Sequence, residues 1–478
     1  MDTKDTNIQK FPPVVAVLGH VDHGKTTLLD VIRKTSISER ESGGITQRIG
    51  ASSVEIDHEG KKRWITFIDT PGHQAFVKMR SRGALASDVG LLIVSADDSV
   101  MPQTKESIAL LKASKIPYIV VITKIDSPGK NPEKVKKDLA KEKVMVEGYG
   151  GNVPVIEVSA KQNTNIKELL DLILLVYDLH PKEPQPSPLS PFEAVVIESK
   201  QDPKAGAKAT IVVKNGTINV RDEVWANDIT CKVRNLLSDI GKPVTQATVG
   251  DAVEILGFEK TPDVGSVITK EKLGSKSEIK KEESQNAKNK DSIISLILVA
   301  DYVGSLEAIL ASVPPKADVI LKKTGEVTES DILLAKSTGA LILSFNTKIK
   351  PDIASFASNE KVPLKNYTVI YEMLDELNDV VEGKELSFKE QVFGIAKVQA
   401  SFPFNKSKVM GIKILEGRVA KGDRVRVERE DKVIGEARIV SVRQGKDPIS
   451  KVDEGQEAGI ILGPELDFDI GDMVICHS

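Results

Sequence analysis

Short apolar runs alternate with helical patterns over the first 180 residues of the chain. The runs are VVAVL (14–18), ITFI (65–68), VGLLIVSA (89–96), YIVVIT (118–123) and VPVIEV (153–158), and each has the length of a buried strand. Between them, Leu, Ile and Val recur at helical spacing in residues 25–35, 103–115, 132–142 and 163–178. This alternation predicts a parallel sheet covered by helices on both faces, over residues 13–180.

The pattern changes along the rest of the chain. Residues 192–269 hold short β-rich runs separated by turn signals, which predict a small antiparallel β-barrel. Strands and helices alternate again over 291–366, which predicts a small α/β domain. A helical stretch at 367–387 is predicted to connect it to a second β-barrel at 388–478. The predicted fold class is therefore multidomain, α/β plus β.

Three segments are predicted to lie between or before these domains. Residues 1–12 form a short tail. Residues 181–191, PKEPQPSPLSP, are rich in proline, which excludes a helix or a central strand and predicts a stiff spacer. Residues 270–290 contain too few apolar side chains to offset the entropy of ordering, so this segment is predicted to be a flexible linker.

Composition narrows the class of protein. The 478 residues carry 66 Lys and Arg against 69 Asp and Glu, a net charge of −3, which excludes binding to nucleic acid by bulk charge alone. Cys231 and Cys476 are the two cysteines, too few for a disulfide framework or a four-cysteine zinc site. Neither an apolar run of membrane-spanning length nor a signal peptide is present. We expect a cytoplasmic protein that does not enter membranes.

A phosphate-binding motif follows the first apolar run. Its pattern is glycine, four residues, glycine, lysine and threonine, and its members are Gly19, His20, Val21, Asp22, His23, Gly24, Lys25, Thr26 and Thr27. The glycines allow backbone N–H groups to surround phosphate oxygens, and the next helix adds its positive N-terminal end. Lys25 can bridge two phosphates, while the Thr26 hydroxyl can ligate Mg²⁺.

Three further motifs follow later apolar runs. In Asp69-Thr70-Pro71-Gly72-His73, the acid can hold Mg²⁺ through water and Gly72 can donate its N–H to a γ-phosphate. The other two motifs supply the candidate guanine-binding residues, which are Thr123, Lys124, Asp126, Ser159, Ala160 and Lys161. A carboxylate such as Asp126 can accept the N1 and N2 hydrogens of guanine, which adenine lacks. The site is therefore predicted to select GTP.

Together, GHVDHGKT, DTPGH, KID and SAK make the chain resemble the translational GTPases. The stretch GGITQRIGA (43–51) narrows the resemblance to the bacterial translation initiation factor two family. KNGTINVRD and GDAVEILGF resemble that family's second domain, and ADYVGSLEAI and ALILSFN its third. The closing β segment resembles its initiator-tRNA domain. The resemblance covers residues 13–478, and we expect a short form without the long N-terminal extension of many members.

The resemblance implies roles for single residues. The site would hold GTP or GDP with Mg²⁺, and Thr46 would ligate the metal only when a γ-phosphate is present. His73 would orient the attacking water, with Val21 and Ile45 as its hydrophobic gate. Asp22 would help to hold a monovalent cation. A histidine suits this role because phosphoryl transfer depends on positioning and charge stabilisation more than on a strong base.

The chain departs from the family pattern at several positions. Thr123 stands where the family usually has asparagine, which predicts weaker nucleotide binding with guanine preference retained through Asp126. Arg48 stands in place of a histidine. Ile412 and Ala458 replace two cysteines of the tRNA domain. The domain is therefore carried over from the resemblance, but selectivity for formyl-methionine stays open.

The implied function is a monomeric, ribosome-dependent GTPase that promotes initiator tRNA binding to the small subunit and then subunit joining. Alternatives are an elongation or specialised-tRNA factor, a GTP-dependent metabolic enzyme, and a binding scaffold with an inactive site. Local charge supports an RNA partner, since residues 397–451 are rich in Lys and Arg while the residues after 452 contain neither. The basic stretch is a candidate face for tRNA or ribosomal RNA.

Overall fold

The computed structural model describes residues 11–35, 46–181, 185–272, 294–381 and, with short gaps, 392–477. Ile45, residues 1–10 of the predicted tail, and residues 273–290 of the predicted linker lie outside this description. The chain divides into two compact units, Met1–Glu385 and Leu386–Ser478.

The first unit begins with a six-stranded sheet. Its strands are β1 Val14–Gly19, β2 Gly50–His58, β3 Lys61–Asp69, β4 Val89–Ser95, β5 Tyr118–Thr123 and β6 Val155–Glu157. They lie in the order β2-β3-β1-β4-β5-β6. All neighbours are parallel except β2 and β3, which form an antiparallel hairpin. The predicted parallel sheet is confirmed, and β2 is an extra edge strand that lacks an apolar run because it is partly exposed throughout.

Helices cover both faces of this sheet, as predicted. They are α1 Lys25–Arg33, α2 Val77–Leu85, α3 Pro102–Ser114, α4 Pro132–Lys141 and α5 Ile166–Leu179. Buried side chains of α1 and α5 share one core with the sheet, and those of α2, α3 and α4 share another. Because β1, β3, β4 and β5 are covered on both sides, their sequences are nearly continuous apolar runs.

A closed antiparallel barrel follows. Its strands are β7 Glu193–Asp202, β8 Gly206–Asn215, β9 Thr217–Asn219, β10 Glu223–Ala226, β11 Ile229–Ser238, β12 Pro243–Val244, β13 Gln246–Thr248, β14 Ala252–Phe258 and β15 Val267–Thr269. Six of them close in the order β10-β15-β7-β8-β14-β11, with β10 pairing to β11.

The third part of the first unit is a parallel α/β layer. Its elements are β16 Ile294–Ala300, α6 Val303–Ser312, β17 Ala317–Thr324, α7 Glu329–Thr338, β18 Leu341–Phe345, α8 Pro351–Asn359 and β19 Leu364–Tyr367. The strand order is β17-β16-β18-β19. Helix α9, Ile370–Val381, follows within the range predicted for a connecting helix, and residues 382–391 lie outside the described chain.

One apolar core joins the three parts of this unit. It contains buried residues of the first sheet and its helices, of the barrel, of the α/β layer and of α9, among them Ile49, Ile68, Phe76, Met79, Ile197, Leu298, Ile309, Ile370, Met373 and Leu377. Helix α9 therefore packs in the same core as the residues that follow the DTPGH motif. This packing brings the start of α9 to the candidate site.

The second unit is another closed barrel. Its strands are β20 Val392–Phe404, β21 Ser407–Ala420, β22 Arg424–Arg429, β23 Lys432–Gln444, β24 Asp447–Ile449, β25 Lys451–Asp453, β26 Glu457–Gly463 and β27 Met473–His477. Six of them close in the order β20-β27-β22-β23-β26-β21. The predicted fold class is confirmed. Within the described ranges, no helix combines the length and apolar character needed to cross a bilayer.

Candidate nucleotide-binding site

The phosphate motif forms the loop between β1 and α1. A Cβ atom at Gly19 would lie 2.4 Å from the Ile93 carbonyl oxygen, so the tight approach of β1 to β4 leaves no room for a side chain. Gly24 precedes α1 with a φ of 83°, a conformation that glycine adopts without strain. The buried Lys25 ammonium donates to the carbonyl oxygens of Gly19 and His20, at 3.0 and 2.5 Å. Its charge is thereby held over the loop.

Two threonine hydroxyls meet at the start of α1. The Oγ1 atoms of Thr26 and Thr46 lie 2.6 Å apart. Asp69 is buried at the end of β3, its Oδ1 atom has no hydrogen-bond partner among the described residues, and its nearest cation is Arg33 at 4.0 Å. Two adjacent hydroxyl oxygens and a buried carboxylate oxygen are hard donors of the kind that Mg²⁺ prefers, so these residues fit the implied metal.

Gly72 lies against the phosphate loop. A Cβ atom there would come within 2.6 Å of the Lys25 ammonium and 3.0 Å of the Val21 nitrogen. A side chain at position 72 would therefore require the Lys25 ammonium to shift. The backbone of the DTPGH motif therefore borders the space in which Lys25 can hold phosphates.

His73 follows Gly72 and borders the same space beside Lys25. Its Nδ1 atom accepts a hydrogen bond from the Ala75 N–H at 3.1 Å, which caps the short 3₁₀ turn Gln74–Phe76. Burial, together with the charge of Arg80, lowers the pKa of His73. The imidazole is therefore neutral at pH 7, and the hydrogen bond to Nδ1 places its proton on Nε2.

Arg80 is a residue that sequence reasoning missed. Its fully buried guanidinium donates to the carbonyl oxygens of Pro71, at 2.9 Å, and His73, and it pairs with Glu106 of α3 at 2.6 Å. It thus fixes the backbone on both sides of Gly72. The available signal was an arginine on the apolar face of α2, beside Met79, where an unpaired charge would be costly.

A cavity of about 230 Å³ unites the phosphate side of the site. Its lining includes these predicted residues: Val21, Asp22, Gly24, Lys25, Thr26, Thr27, Thr46, Gly72, His73 and Lys124. Gly19, His20 and His23 are not part of this lining; Gly19 and His23 are buried, and His20 is half-buried. Burial, and next the neighbouring His20, lowers the pKa of His23 to about 4, so this ring is a neutral structural member of the loop.

The candidate guanine residues surround an adjoining cavity of about 400 Å³. Thr123, Lys124, Asp126, Ala160 and Lys161 line it directly. The remaining member, Ser159, donates a hydrogen bond to the Asp126 carboxylate at 2.6 Å. That bond is the main reason why the pKa of Asp126 is lowered, and it keeps the carboxylate charged and oriented as an acceptor.

Thr123 connects the two loops of the candidate site. Its hydroxyl donates to the His23 carbonyl oxygen at 2.6 Å, so the loop after β5 is tied to the phosphate loop without an asparagine. What threonine lacks is a further amide donor for the base.

Residues outside the pocket have structural partners. His58 contacts Asp171 of α5 at 2.6 Å, and the His180 Nδ1 atom lies 2.9 Å from the Val176 carbonyl oxygen. In the second unit, Ile412 and Ala458 are direct partners across β21 and β26 and are both buried in the barrel core. These two positions therefore face the interior of the barrel.

Three family models match successive parts of the chain. They are the Elongation factor Tu GTP binding domain over residues 12–178, Elongation factor G domain 2 over 191–271, and Translation-initiation factor 2 over 269–378.

Curated relatives match nearly the whole chain. Translation initiation factor IF-2 of Aquifex aeolicus (strain VF5) is 38% identical, over 98% of this chain and 61% of the relative. The factors of the same name from Carboxydothermus hydrogenoformans and Synechococcus sp. (strain JA-3-3Ab) are both 39% identical, over 98% and 97% of this chain and 60% and 48% of their own lengths. The chain spans about half to three fifths of these relatives.

Proposed function

The chain belongs to the translation initiation factor 2 family, and from this premise we propose that it is a ribosome-activated GTPase of translation initiation. It promotes initiator tRNA binding to the small ribosomal subunit and subsequent joining of the large subunit, as a monomer in the cytoplasm. Hydrolysis on the assembled ribosome then changes the nucleotide state of the factor.

One observation supports this proposal above all. The threonine expected to ligate the metal in the GTP state and the candidate catalytic histidine meet at one pocket. Thr46 and His73 come from separate segments, yet both line the cavity that also contains Lys25. The meeting of the Thr46 and Thr26 hydroxyls supports metal ligation by both, with Asp69 acting through water. Mg²⁺, when bound, neutralises charge on the phosphate oxygens.

The roles of the residues follow from their positions. Lys25 binds the β- and γ-phosphates, and the Gly72 N–H donates to the γ-phosphate. In hydrolysis, the oxygen of water forms a bond to the γ-phosphorus while the bond to the β–γ bridging oxygen breaks, which yields GDP and phosphate. His73 orients this water, and Asp22, exposed at the pocket, is proposed to help hold a monovalent cation.

The test is GTP hydrolysis by the purified chain with and without ribosomal subunits and initiator tRNA. We expect almost no turnover alone and strong stimulation by assembled ribosomes, which His73→Ala abolishes without weakening GTP binding. Equal rates with and without ribosomes would contradict the proposal. Filter binding of formylated and unformylated initiator tRNA decides selectivity, and equal affinities are the result that would reject selection of the formyl group.

A further inference from the structure

Tyr371, in the first turn of α9, packs against His73. The two ring centroids lie 4.1 Å apart with an angle of 78° between the planes, an edge-to-face contact. Tyr371 and His73 are both half-buried, and both belong to the region where α9 joins the common core. A residue from the far end of the unit therefore contacts the candidate catalytic imidazole.

The hydrogen bond at Nδ1 completes the restraint of His73. That atom accepts from the Ala75 N–H, while Tyr371 contacts the ring. With its ring packed on tyrosine and one nitrogen bonded to its own 3₁₀ turn, the imidazole cannot turn freely about χ1. A water at the γ-phosphate requires an imidazole that can align with it.

Gln47 holds the segment that carries Tyr371. Its buried side-chain amide donates to the Thr368 carbonyl oxygen at 2.8 Å and accepts from the Ile370 N–H at 3.0 Å. These two bonds attach the residues that lead into α9 to Gln47, which directly follows Thr46 in the chain. The start of α9 is thus attached to both segments that border the γ-phosphate position.

We propose that Tyr371 is a positioning residue that holds His73 in a resting position, and that hydrolysis requires the start of α9 to move so that the imidazole is released. The inference rests on the proposed GTPase function. It explains slow hydrolysis in the absence of a partner by a contact within the chain, because an outside partner is then needed to displace Tyr371.

Hydrolysis by the full chain, measured with and without ribosomes, tests the proposal in three variants. Tyr371→Leu removes the aromatic contact and is expected to raise the ribosome-free rate about three- to tenfold, the factor that an aromatic edge contact is worth. Tyr371→Phe keeps the ring and should behave as the parent chain. Glu372→Gln is the matched control, since Glu372 is an exposed neighbour in the same turn of α9 and its substitution leaves the buried face of the helix intact.

A spectroscopic measurement separates this inference from the proposed function. In protein labelled with ¹³C-histidine, the ring protons of His73, assigned from their loss in His73→Ala, should show a ring-current shift. That shift should disappear in Tyr371→Leu and persist in Tyr371→Phe.

Three results would overturn the proposal: no rise in rate for Tyr371→Leu, an equal rise for Glu372→Gln, or a His73 signal that is unchanged in Tyr371→Leu. If no variant hydrolyses GTP even with ribosomes, the GTPase function and the restraint of hydrolysis both fail. In that case, the histidine spectrum still shows whether Tyr371 holds His73.

Discussion

The hydroxyl of Thr123 donates a hydrogen bond to the carbonyl oxygen of His23, 2.6 Å away, and so joins the candidate guanine loop to the phosphate loop. Thr123 is the last residue of β5, whereas His23 lies in the loop between β1 and α1. An asparagine would make the same connection with its amide and still have a second hydrogen for the base.

This relationship predicts opposite effects of two substitutions at position 123. Thr123→Val leaves the His23 carbonyl oxygen without its donor and should lower the free energy of unfolding by about 1–3 kcal/mol while weakening GDP binding. Thr123→Asn should strengthen GDP binding by roughly tenfold, as one added hydrogen bond allows. Calorimetric titration with GDP measures both, and an unchanged affinity of the asparagine variant would contradict the expectation.

Base selection is expected to depend on Asp126. The Ser159 hydroxyl orients its carboxylate, which can accept two hydrogens from guanine. Asp126→Asn replaces one acceptor by a donor that suits the 2-oxo group of xanthine, so affinity should fall by about a hundredfold for GDP and rise for xanthosine diphosphate. Competition binding with the two nucleotides measures the change. Asp57→Asn, at an exposed position of β2, is the control that should keep the preference for GDP.

Arg80 is expected to matter for both stability and hydrolysis. Arg80→Leu removes three partners of a buried guanidinium and leaves the Pro71 and His73 carbonyl oxygens without donors. The free energy of unfolding should fall by roughly 2–4 kcal/mol, because one polar partner of a buried network is lost. Urea unfolding measures this loss. Ribosome-stimulated hydrolysis should fall with it, whereas the exposed substitution Lys78→Leu on the same helix should leave stability nearly unchanged.

Glu198 predicts a pH dependence of stability. Its carboxylate lies in β7, is almost fully buried and accepts from the N–H groups of Ser199 and Gly304, at 3.0 and 3.1 Å. Burial raises the pKa of Glu198 from 4.5 to about 7, while the two N–H groups act against the rise. Between pH 4.5 and pH 7 the folded chain keeps a proton on Glu198 that the unfolded chain has lost. The contribution of this protonated carboxyl group to the free energy of unfolding is therefore complete below pH 4.5 and is lost as the pH rises through 7.

Glu198→Gln does not titrate and isolates this effect. Relative to the parent chain, the variant should become progressively more stable from pH 5.5 to pH 8, as followed by urea unfolding at several pH values. Glu259→Gln, at an exposed position of the same barrel, is the control. The free energy of unfolding could instead differ by a constant amount between Glu198→Gln and the parent chain over this pH range. That result would refute the raised pKa of Glu198.

Much of the fold follows from local patterns. Strands buried on both faces, such as β4 and β5, appear as continuous apolar runs, so these strands and the covering helices α1, α3, α4 and α5 were predicted correctly, whereas helix α2 was not predicted. The edge strand β2 escaped prediction because its residues are half-exposed and mixed in character. The division of the chain into domains and the roles of the site residues remain predictions.

The candidate nucleotide site could be predicted from the sequence because the carboxyl ends of neighbouring parallel strands meet at one edge of a sheet. Each motif follows its own strand, so Lys25, Thr26 and His73 reach one cavity by topology alone. Thr123 was predicted to belong to this site, but its hydrogen bond to His23 depends on how closely two loops approach each other, which the spacing of motifs in the sequence does not specify.

By itself, the sequence determined the fold class, and it predicted the family and the residues that bind phosphate and guanine, since these depend on local apolar patterns and on short motifs at strand ends. Only the tertiary structure decided that Tyr371 meets His73 and that Gln47 binds the entry to α9. Those contacts join residues some 300 positions apart, through a core built by packing rather than by any local period. The physical reason is that burial of α9, not a recognisable motif, brings its first turn to the pocket.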